Sequence, residues 1–276
     1  MEATAPFILQ HGTAPLTGRY ITTNHKTGTL MSRCLVRVLA EAGIRLHPGD
    51  THTWGFPSIN SPDMRQINLV RNPFVLVHSG YMYHRGTEDA ERWTIQPFSR
   101  MGARYSAYAT ESGGYWQGAF DAITSFRTCS NVPVSDDSTY RSTLNTLALT
   151  DGLLLECLRA LHRDIPYMVA SALACYHARE STKSLKAPKG RCSNVLLDDV
   201  MVDFTRGFAQ YLAAPLNVSE ALGASFAQSC DPSMTNSSHA TDHSERAMAV
   251  ELIRAIDTKY LDGALHRAEK TLLELL

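Results

Sequence analysis

Apolar residues recur with two different spacings over the first part of the chain. The apolar-leaning run RYITT, at 19–23, is typical of a short β-strand. From about Thr29 the spacing becomes helical, because apolar side chains recur three or four positions apart, at Met31, Leu35, Val38, Leu39 and Ala42. Gly43 follows these residues and is suited to end the helix. The pattern therefore predicts a strand, a turn and a helix.

A second pair of elements follows after an intervening stretch. GIRLH, at 43–47, indicates a short strand, and the run 51–64, rich in Pro, Ser, Gly and Asn, indicates a loop. QINLV, at 66–70, indicates another strand, and Pro73 is suited to the first turn of a helix that runs to about Tyr83. Strands that alternate with helices in this order predict an α/β fold with a central parallel sheet of the doubly wound type.

The remainder of the chain is predicted to be mostly helical. An aromatic-rich region, 85–138, is expected to form short helices and loops that cover one end of the sheet. Further elements are predicted at 151–161 (helix), 166–180 (helix), 192–198 (strand), 201–212 (helix) and from about 245 to the end (helix, broken near Gly263). The polar run 223–244 is predicted to be a long loop.

Composition and charge limit the partners that the protein could bind. Hydrophobic residues make up 44% and charged residues 19% of the 276 residues, which are ordinary globular values. The net charge of −1 argues against a broadly basic surface for nucleic acid. No run approaches the ~20 apolar residues of a membrane helix, and the N-terminal stretch lacks the basic region of a signal peptide. We therefore expect no nucleic-acid partner and no membrane.

The cysteines bear on location. There are six, far apart in the sequence and without a C-x-x-C pair: Cys34, Cys129, Cys157, Cys175, Cys192 and Cys230. This spacing favours reduced, buried thiols over a disulfide framework. Because reduced thiols are typical of the cytosol, the sequence predicts a cytoplasmic location.

The turn between the first strand and the first helix carries candidate chemistry. It reads NHKTGTLMSR, from Asn24 to Arg33. If the helix opens near Thr29, the backbone N–H groups of residues 27–30 converge and, together with the helix dipole, favour an anion. Lys26 adds a full positive charge. The G-x-x-x-x-G-K-[ST] loop of ATP- and GTP-binding enzymes is not present, and a plain turn with a solvated lysine is the alternative.

A second anion-binding candidate follows the strand at 66–70. In INLVRNPFVLVHSGYMYHR, Arg71 comes directly after that strand, and Ser79 lies eight residues later in the predicted helix. The planar guanidinium of arginine suits a phosphate group, and a serine hydroxyl adds a further donor. In the alternative interpretation, Arg71 pairs with a carboxylate and Ser79 only packs.

Together the two segments resemble the sulfotransferase superfamily, whose members use 3′-phosphoadenosine-5′-phosphosulfate (PAPS). NHKTGTL is similar to the superfamily's 5′-phosphosulfate loop, P-K-[ST]-G-T-[TS]. VRNPFVLVHSGYMYH is similar to its 3′-phosphate motif, with Arg, Asn-Pro and Ser at the same spacing. VLLDDVMVDFTRGFAQYL, at 195–212, is a weaker match to a later strand and helix. The resemblance covers about residues 19–85 and, more weakly, 195–212, and it implies a P-loop-NTPase-like sulfotransferase fold.

The resemblance also assigns roles to individual residues. Lys26 would bind the bridging oxygen of the phosphosulfate and stabilise the leaving phosphate. Arg71 and Ser79 would clamp the 3′-phosphate. Backbone amides would hold the 5′-phosphate, with the Thr29 hydroxyl as an extra donor; these amides belong to Thr27, Gly28, Thr29 and Leu30.

The sequence departs from the superfamily's pattern at three points. Met31 stands where cytosolic relatives often carry a tryptophan that stacks on adenine, and Leu197 stands where many have an aromatic residue. Adenine would then be held by softer apolar contacts, with Met31 among the donor-binding residues. The late Arg-Lys-Gly phosphate motif is absent. The basic loop 183–191 or Arg246 is its candidate replacement, although solvated surface charge is the simpler interpretation of that loop.

The acceptor needs a base, for which His52 is the candidate. Thr51-His52 resembles the Lys-Thr-His segment whose histidine is the base in many cytosolic sulfotransferases, although the lysine is missing here. The near-neutral pKa of a histidine suits proton transfer. An ordinary loop histidine is the simpler alternative. Neighbouring candidates for the same role are His47, Asp50 and His25.

We therefore interpret the chain as one sulfotransferase domain, residues 1–276, that moves the sulfuryl group of PAPS to a hydroxyl or amine of a small-molecule acceptor, including a specialised natural product. The product of the donor is 3′,5′-ADP (PAP). The expected parts are a donor-binding core (18–85), an acceptor-side region (86–150), a strand and helix of the core (195–212), a polar loop (223–244) and a C-terminal helix (245–276). No metal is expected, because His239 and His243 have a helical ligand spacing but no evident third ligand.

Two other functions are compatible with parts of this sequence. One is a P-loop kinase of a nucleotide or small molecule, against which the missing Walker lysine position argues. The other is a non-catalytic module that keeps the nucleotide site to bind a nucleotide or a sulfated ligand.

Overall fold

The structure is a computed structural model that describes residues 18–24, 27–50, 64–86, 91–103, 115–184, 192–231 and 243–276. The residues with predicted roles that lie outside these ranges are His25, Lys26, His52 and, in the basic loop, Lys186, Lys189 and Arg191. The predicted α/β class and central parallel sheet are confirmed, since a four-stranded parallel sheet is flanked by helices.

Within the described residues, four parallel strands form the sheet. They are β1 (Gly18–Thr23), β2 (Leu46–Asp50), β3 (Met64–Val70) and β4 (Cys192–Leu196), in the spatial order β2-β1-β3-β4. The chain passes from β1 to β2 on one side and then to β3 on the other side of β1. The carboxyl ends of β1 and β3 therefore form a topological switch point, the place where open α/β sheets commonly bind ligands.

Helices lie between β1 and β2 and between β3 and β4 along the chain, and others follow the last strand. The first group comprises α1 (Thr29–Glu41), α2 (Pro73–Arg85), α3 (Phe98–Ala103), α4 (Tyr115–Cys129), α5 (Tyr140–Thr146) and α6 (Leu149–His162), with a 3₁₀ helix at Arg92–Ile95. The second group comprises α7 (Asp164–Ser184), α8 (Leu197–Val202), α9 (Phe204–Gly207), α10 (Ala214–Leu216), α11 (Gly223–Cys230), α12 (His243–Tyr260) and α13 (Ala264–Leu275). A π-helical stretch at Phe208–Ala213 and a 3₁₀ helix at Glu220–Leu222 complete this group. Among the described helices, none is both long enough and apolar enough to cross a membrane.

Helix α1 ends at the glycine that the sequence indicates. The N–H of Gly43 donates to the Ala40 carbonyl at 2.9 Å, and the N–H of Ile44 donates to the Leu39 carbonyl at 2.8 Å. Gly43 has a φ of 75°, so the helix closes in a Schellman motif. The strand predicted at 43–47 consequently begins only at Leu46.

The described chain divides into two compact units. The sheet unit comprises Met1–Arg71, Tyr167–Ala240 and Thr271–Leu276. The helical unit comprises Asn72–Pro166 and Thr241–Lys270. The domain ranges expected from the sequence stay predictions.

The two faces of the sheet differ in polarity because side chains alternate along each strand. One face joins an apolar core with α1, α8, α9 and α11, whose fully buried members include Ile21, Leu35, Ile67, Leu69, Phe208 and Phe226. On the other face, Gln66 Nε2 donates to Thr22 Oγ1 at 2.7 Å and Asn68 Nδ2 donates to Asn194 Oδ1 at 2.8 Å. Asn194 Nδ2 then donates to the Ala172 carbonyl of α7 at 2.9 Å.

The helix predicted at 201–212 has the wrong boundaries. It begins earlier, at Leu197, and the helical run is interrupted at Asp203. The reason is local, since the Asp203 carboxylate accepts a hydrogen bond from the N–H of Arg206 at 2.9 Å and caps a new helix, α9.

The loop predicted at 223–244 is wrong over its first part, where the structure describes a helix, Gly223–Cys230. Phe226 packs against the rings of Phe204 and Phe208, at centroid distances of 5.6 and 5.4 Å, and this burial stabilises the helix. The break near Gly263 is confirmed, because Gly263 has a φ of 68° between α12 and α13.

Four cysteines are paired, contrary to the prediction of reduced thiols. Cys34 of α1 is bonded to Cys230 of α11, and Cys175 of α7 is bonded to Cys192 of β4. Cys129 and Cys157 are free thiols, one exposed and one buried. The sequence could not reveal the first pair, because its members are 196 positions apart.

Candidate functional site

The turn between β1 and α1 is closed by hydrogen bonds between Asn24 and Thr27. The N–H of Thr27 donates to the Asn24 carbonyl at 3.0 Å, and the Thr27 hydroxyl donates to the same oxygen at 2.8 Å. The N–H of Asn24 donates to Thr27 Oγ1 at 2.5 Å, and Thr27 is fully buried. The amide of Thr27 is thus engaged within the turn, so its predicted contact with a 5′-phosphate would require the turn to open.

Gly28 turns the chain into α1. Its φ of 94° and ψ of 31° lie in the left-handed region that favours glycine. A Cβ atom at this position would lie 3.1 Å from Leu197 Cδ1 and 3.3 Å from Leu69 Cδ1. The turn therefore packs closely against the end of β3 and the beginning of α8.

The first turn of α1 has no side-chain cap in the described structure. Its first intrahelical bond runs from the N–H of Ser32 to the Gly28 carbonyl at 2.8 Å. The N–H groups of Thr29, Leu30 and Met31 precede that bond, and such groups favour an anion together with the helix dipole. Leu30 is 60% exposed, so this turn borders solvent.

Arg71 directly follows β3, the neighbour of β1 in the sheet. Arg71 is buried, and its Nε lies 3.5 Å from Oδ1 of Asp198 in the first turn of α8. The register Val70↔Leu196 brings the two residues together, because β3 and β4 end side by side. The alternative in which Arg71 pairs with a carboxylate is therefore realised in the structure.

Helix α7 supports both predicted anion-binding segments from one side. The N–H of Arg71 donates to Sδ of Met168 at 3.3 Å. Asn24 Nδ2 donates to the hydroxyl of Ser171 at 3.1 Å, and that hydroxyl donates to the Met168 carbonyl at 2.9 Å. Met168 and Ser171 are one helical turn apart, and sequence reasoning missed both because neither residue type signals a role as a support.

Ser79 belongs to the helical unit and is half-buried in α2. The predicted start of this helix at Pro73 is confirmed. The Asn72 side chain caps α2 by accepting a hydrogen bond from the N–H of Phe74 at 2.9 Å, and its Nδ2 donates to Glu269 Oε1 at 2.5 Å. The Asn-Pro pair of the motif thus has a structural explanation of its own.

The chain matches no protein-family model, no curated protein and no solved structure. No relative therefore assigns a role to the β1–α1 turn, to Arg71 or to Ser79. The roles expected for them rest on the sequence motifs alone and stay predictions.

Two residues expected near adenine lie in the core. Met31 is 6% exposed and Leu197 is 3% exposed, and both pack in the apolar layer between the sheet and its helices. Met31 therefore has little exposed surface in the described structure, and its assignment as a donor-binding residue stays a prediction. Leu30 lies on the same turn of α1, and its apolar side chain is well exposed to solvent.

His47 is the only predicted base whose side chain the structure describes, since His25, His52 and the side chain of Asp50 fall outside it. The His47 ring stacks on Tyr20 at 5.1 Å, and partial burial, followed by the Arg45 charge, lowers the pKa of His47. Asp50 at the carboxyl end of β2 is three residues further along, which places His47 about 10 Å from the switch-point edge. This position makes His47 a poor base for a reaction there.

A buried charged network in the helical unit was not predicted. Its centre is Glu156 of α6, which accepts hydrogen bonds from Tyr140 OH at 2.8 Å and Arg159 Nε at 2.8 Å. Arg159 Nη2 also donates to Asp164 Oδ2 at 2.6 Å, and His84 Nδ1 lies 3.1 Å from both Glu156 oxygens. A Cβ atom at Gly80 would collide with Glu156 Oε1, so Gly80 makes room for the carboxylate.

Electrostatics inside this network keep its ions charged. Burial alone would raise the pKa of Glu156, but the charges of Arg159 and then His84 outweigh it and lower that pKa to about 2. Burial would lower the pKa of Arg159, yet Asp164 and then Glu156 raise it well above its usual value. Burial, followed by the Glu156 charge, raises the pKa of Tyr140.

The sequence carries one signal for this network. In LLLECLRAL, Glu156 and Arg159 lie three positions apart within an otherwise apolar run, so both side chains point into a region with no polar face. We assign the network a structural role, because its ionised side chains are 0% exposed and cannot reach a substrate.

Proposed function

We propose that the protein is a PAPS-dependent sulfotransferase that moves a sulfuryl group to a hydroxyl or amine of a small-molecule acceptor. The observation that carries this proposal is the placement of the β1–α1 turn and Arg71. They follow neighbouring strands, β1 and β3, at the switch point of the sheet, where α/β folds bind ligands. The P-loop-like sulfotransferase fold is part of the same proposal.

Charge stabilisation is the main contribution expected from this chain. In the proposed reaction, the acceptor oxygen or nitrogen bonds to sulfur while the bond from sulfur to the bridging phosphate oxygen breaks. Lys26 and the N–H groups at the start of α1 would stabilise the negative charge that gathers on the leaving phosphate. His52 would accept the proton of the acceptor. The products are the sulfated acceptor and 3′,5′-ADP, and no metal takes part in the proposal.

The kinase and the non-catalytic module stay as alternatives, and one ligand pair separates the first from our proposal. We expect 3′,5′-ADP to raise the melting temperature of the protein and Mg-ATP to leave it unchanged, because the proposed site recognises a 3′-phosphate. Thermal shift assays with each ligand measure this. A rise in melting temperature with Mg-ATP and none with 3′,5′-ADP would contradict the proposed function.

Turnover separates an enzyme from a binding module. Acceptor libraries incubated with labelled PAPS and analysed by mass spectrometry should give a labelled product, and His52→Ala should lower its rate of formation. Binding of 3′,5′-ADP without any turnover across hydroxyl, phenol, amine and sugar acceptors would favour the binding module instead.

The cytoplasmic location expected from the cysteines also stays a prediction. Its premise was reduced thiols, and two disulfides weigh against that premise, because such bonds persist mainly in oxidising compartments.

A further inference from the structure

Asp198 occupies a position with direct influence on Arg71. It lies two residues beyond the end of β4, and its Oδ1 is 3.5 Å from Arg71 Nε. This separation is longer than a good hydrogen bond. At this distance the carboxylate attracts the guanidinium mainly by charge.

The pair is also within reach of solvent. The Arg71 side chain is 11% exposed and the Asp198 side chain is 25% exposed, whereas the Arg159 pairs of the helical unit are 0% exposed. A ligand can thus approach the Arg71–Asp198 pair. A change in the charge of Asp198 can therefore alter the affinity for that ligand. The Arg159 pairs have no such access.

The two charges act on an anion in opposite directions. Arg71 attracts it, while a carboxylate held against the same guanidinium repels it and competes for the same positive charge. This repulsion is larger for a dianionic phosphate monoester than for an uncharged hydroxyl in the same place.

We propose that Asp198 competes with the 3′-phosphate of the nucleotide for Arg71 and thereby weakens binding of the 3′,5′-ADP product. The inference rests on the proposed function, since it takes Arg71 to be the 3′-phosphate ligand. Asp198 is then a specificity-determining residue that limits how tightly the site retains a 3′-phosphorylated nucleotide. In an enzyme of this kind, such a limit favours product release.

A comparison of two ligands isolates the effect on the 3′-phosphate. Isothermal titration calorimetry measures the Kd of 3′,5′-ADP and of 5′-AMP, which has a hydroxyl in place of the 3′-phosphate. The first variant is Asp198→Asn, which keeps the shape of the side chain and removes its charge. The matched control is Asp199→Asn, which removes the same charge from the next residue of α8, an exposed one.

We expect Asp198→Asn to lower the Kd of 3′,5′-ADP about three- to tenfold, the range of a partly exposed ion pair. The Kd of 5′-AMP should not change, and Asp199→Asn should leave both values as in the wild type. Raising the salt concentration should shrink the difference between the variants. Asp198→Ser, a second neutral variant, takes the place of Asp198→Asn if the latter fails to fold.

Different results would contradict the proposed function and the inference about Asp198. If the wild type binds 3′,5′-ADP no more tightly than 5′-AMP, the proposed function itself falls and the inference falls with it. If the wild type prefers 3′,5′-ADP but the neutral variants bind it equally or more weakly, Asp198 does not compete for Arg71 and only this inference is overturned.

Discussion

Gly28 meets two requirements at one residue. Its φ of 94° favours glycine, and a Cβ atom would press on Leu197 and Leu69 at 3.1 and 3.3 Å. Gly43 also has a positive φ, 75°, but no atom lies within 4 Å of its Cβ position. Substitution of Gly43 therefore tests the effect of a positive φ alone, whereas substitution of Gly28 tests a positive φ together with close packing.

Alanine at these positions should reveal that difference. We expect Gly43→Ala to lower the free energy of unfolding by about 1–2 kcal/mol, the cost of a left-handed alanine. Gly28→Ala should cost about 2–4 kcal/mol, because its methyl group also compresses the core. Urea denaturation measures both. Equal losses would mean that Leu197 and Leu69 adapt freely to the methyl group.

The proposed donor contacts make a second prediction at the residue scale. Lys26→Ala and Arg71→Ala should each raise the Kd of 3′,5′-ADP by about tenfold or more, since each removes charged hydrogen bonds to phosphate. Calorimetry measures the affinity, and Arg37→Ala, an exposed arginine of α1, is the control. Unchanged affinity in both test variants would refute the assignment of the donor site.

Local signals explain which of these residues the sequence could predict. A glycine between a strand and a helix, and an arginine directly after a strand, can be recognised from a few neighbouring residues. Gly28 and Arg71 have these predicted positions in the structure. The partners of Arg71 are not visible in this way. Met168 and Asp198 are about a hundred positions away, and only the pairing of β3 with β4 and the packing of α7 bring them near.

At the scale of elements, α2, α5 and α6 share a charged centre. Glu156 of α6 contacts Tyr140 of α5 and His84 of α2, and Gly80 of α2 provides the space. Removing one ion from a fully buried set leaves the others uncompensated. The sequence predicted two of these helices but not their centre, because periodicity reports which face is apolar and not which ions lie within it.

The lowered pKa of Glu156 predicts a loss of stability in acid. Its folded pKa of about 2 lies below the ordinary value of 4.5, so the unfolded chain binds the proton more readily. The resulting stabilisation, about 3 kcal/mol, is complete above about pH 4.5 and is lost as the pH falls towards 2. Urea denaturation between pH 7 and pH 3 measures the slope of the unfolding free energy against pH.

Glu156→Gln tests the origin of that slope. The variant should be less stable at pH 7, because Arg159 loses a charged partner, and its stability should fall less steeply between pH 4.5 and pH 3. Glu220→Gln, on an exposed 3₁₀ helix, is the control and should behave as the wild type. An acid slope that survives in Glu156→Gln would assign the effect to other carboxylates.

At the scale of the whole molecule, two disulfides tie together distant parts of the sheet unit. Cys34–Cys230 joins α1 to α11 across 196 positions, and Cys175–Cys192 joins α7 to β4 across 17. The sequence indicated reduced thiols, because pairs this far apart give no local motif. Only the packing of α1 against α11, in which Phe226 is fully buried, brings the first pair together.

The long disulfide should dominate the effect of reduction on stability. Because it closes a loop of nearly two hundred residues, its loss should lower the free energy of unfolding by up to about 5 kcal/mol. The double variant Cys34→Ser/Cys230→Ser should reproduce most of the loss caused by a reducing agent, while Cys129→Ser, an exposed free thiol, should not.

Alkylation of the unfolded, unreduced protein should modify Cys129 and Cys157 only, as read by mass spectrometry. Modification of all six cysteines would restore the reduced, cytoplasmic interpretation.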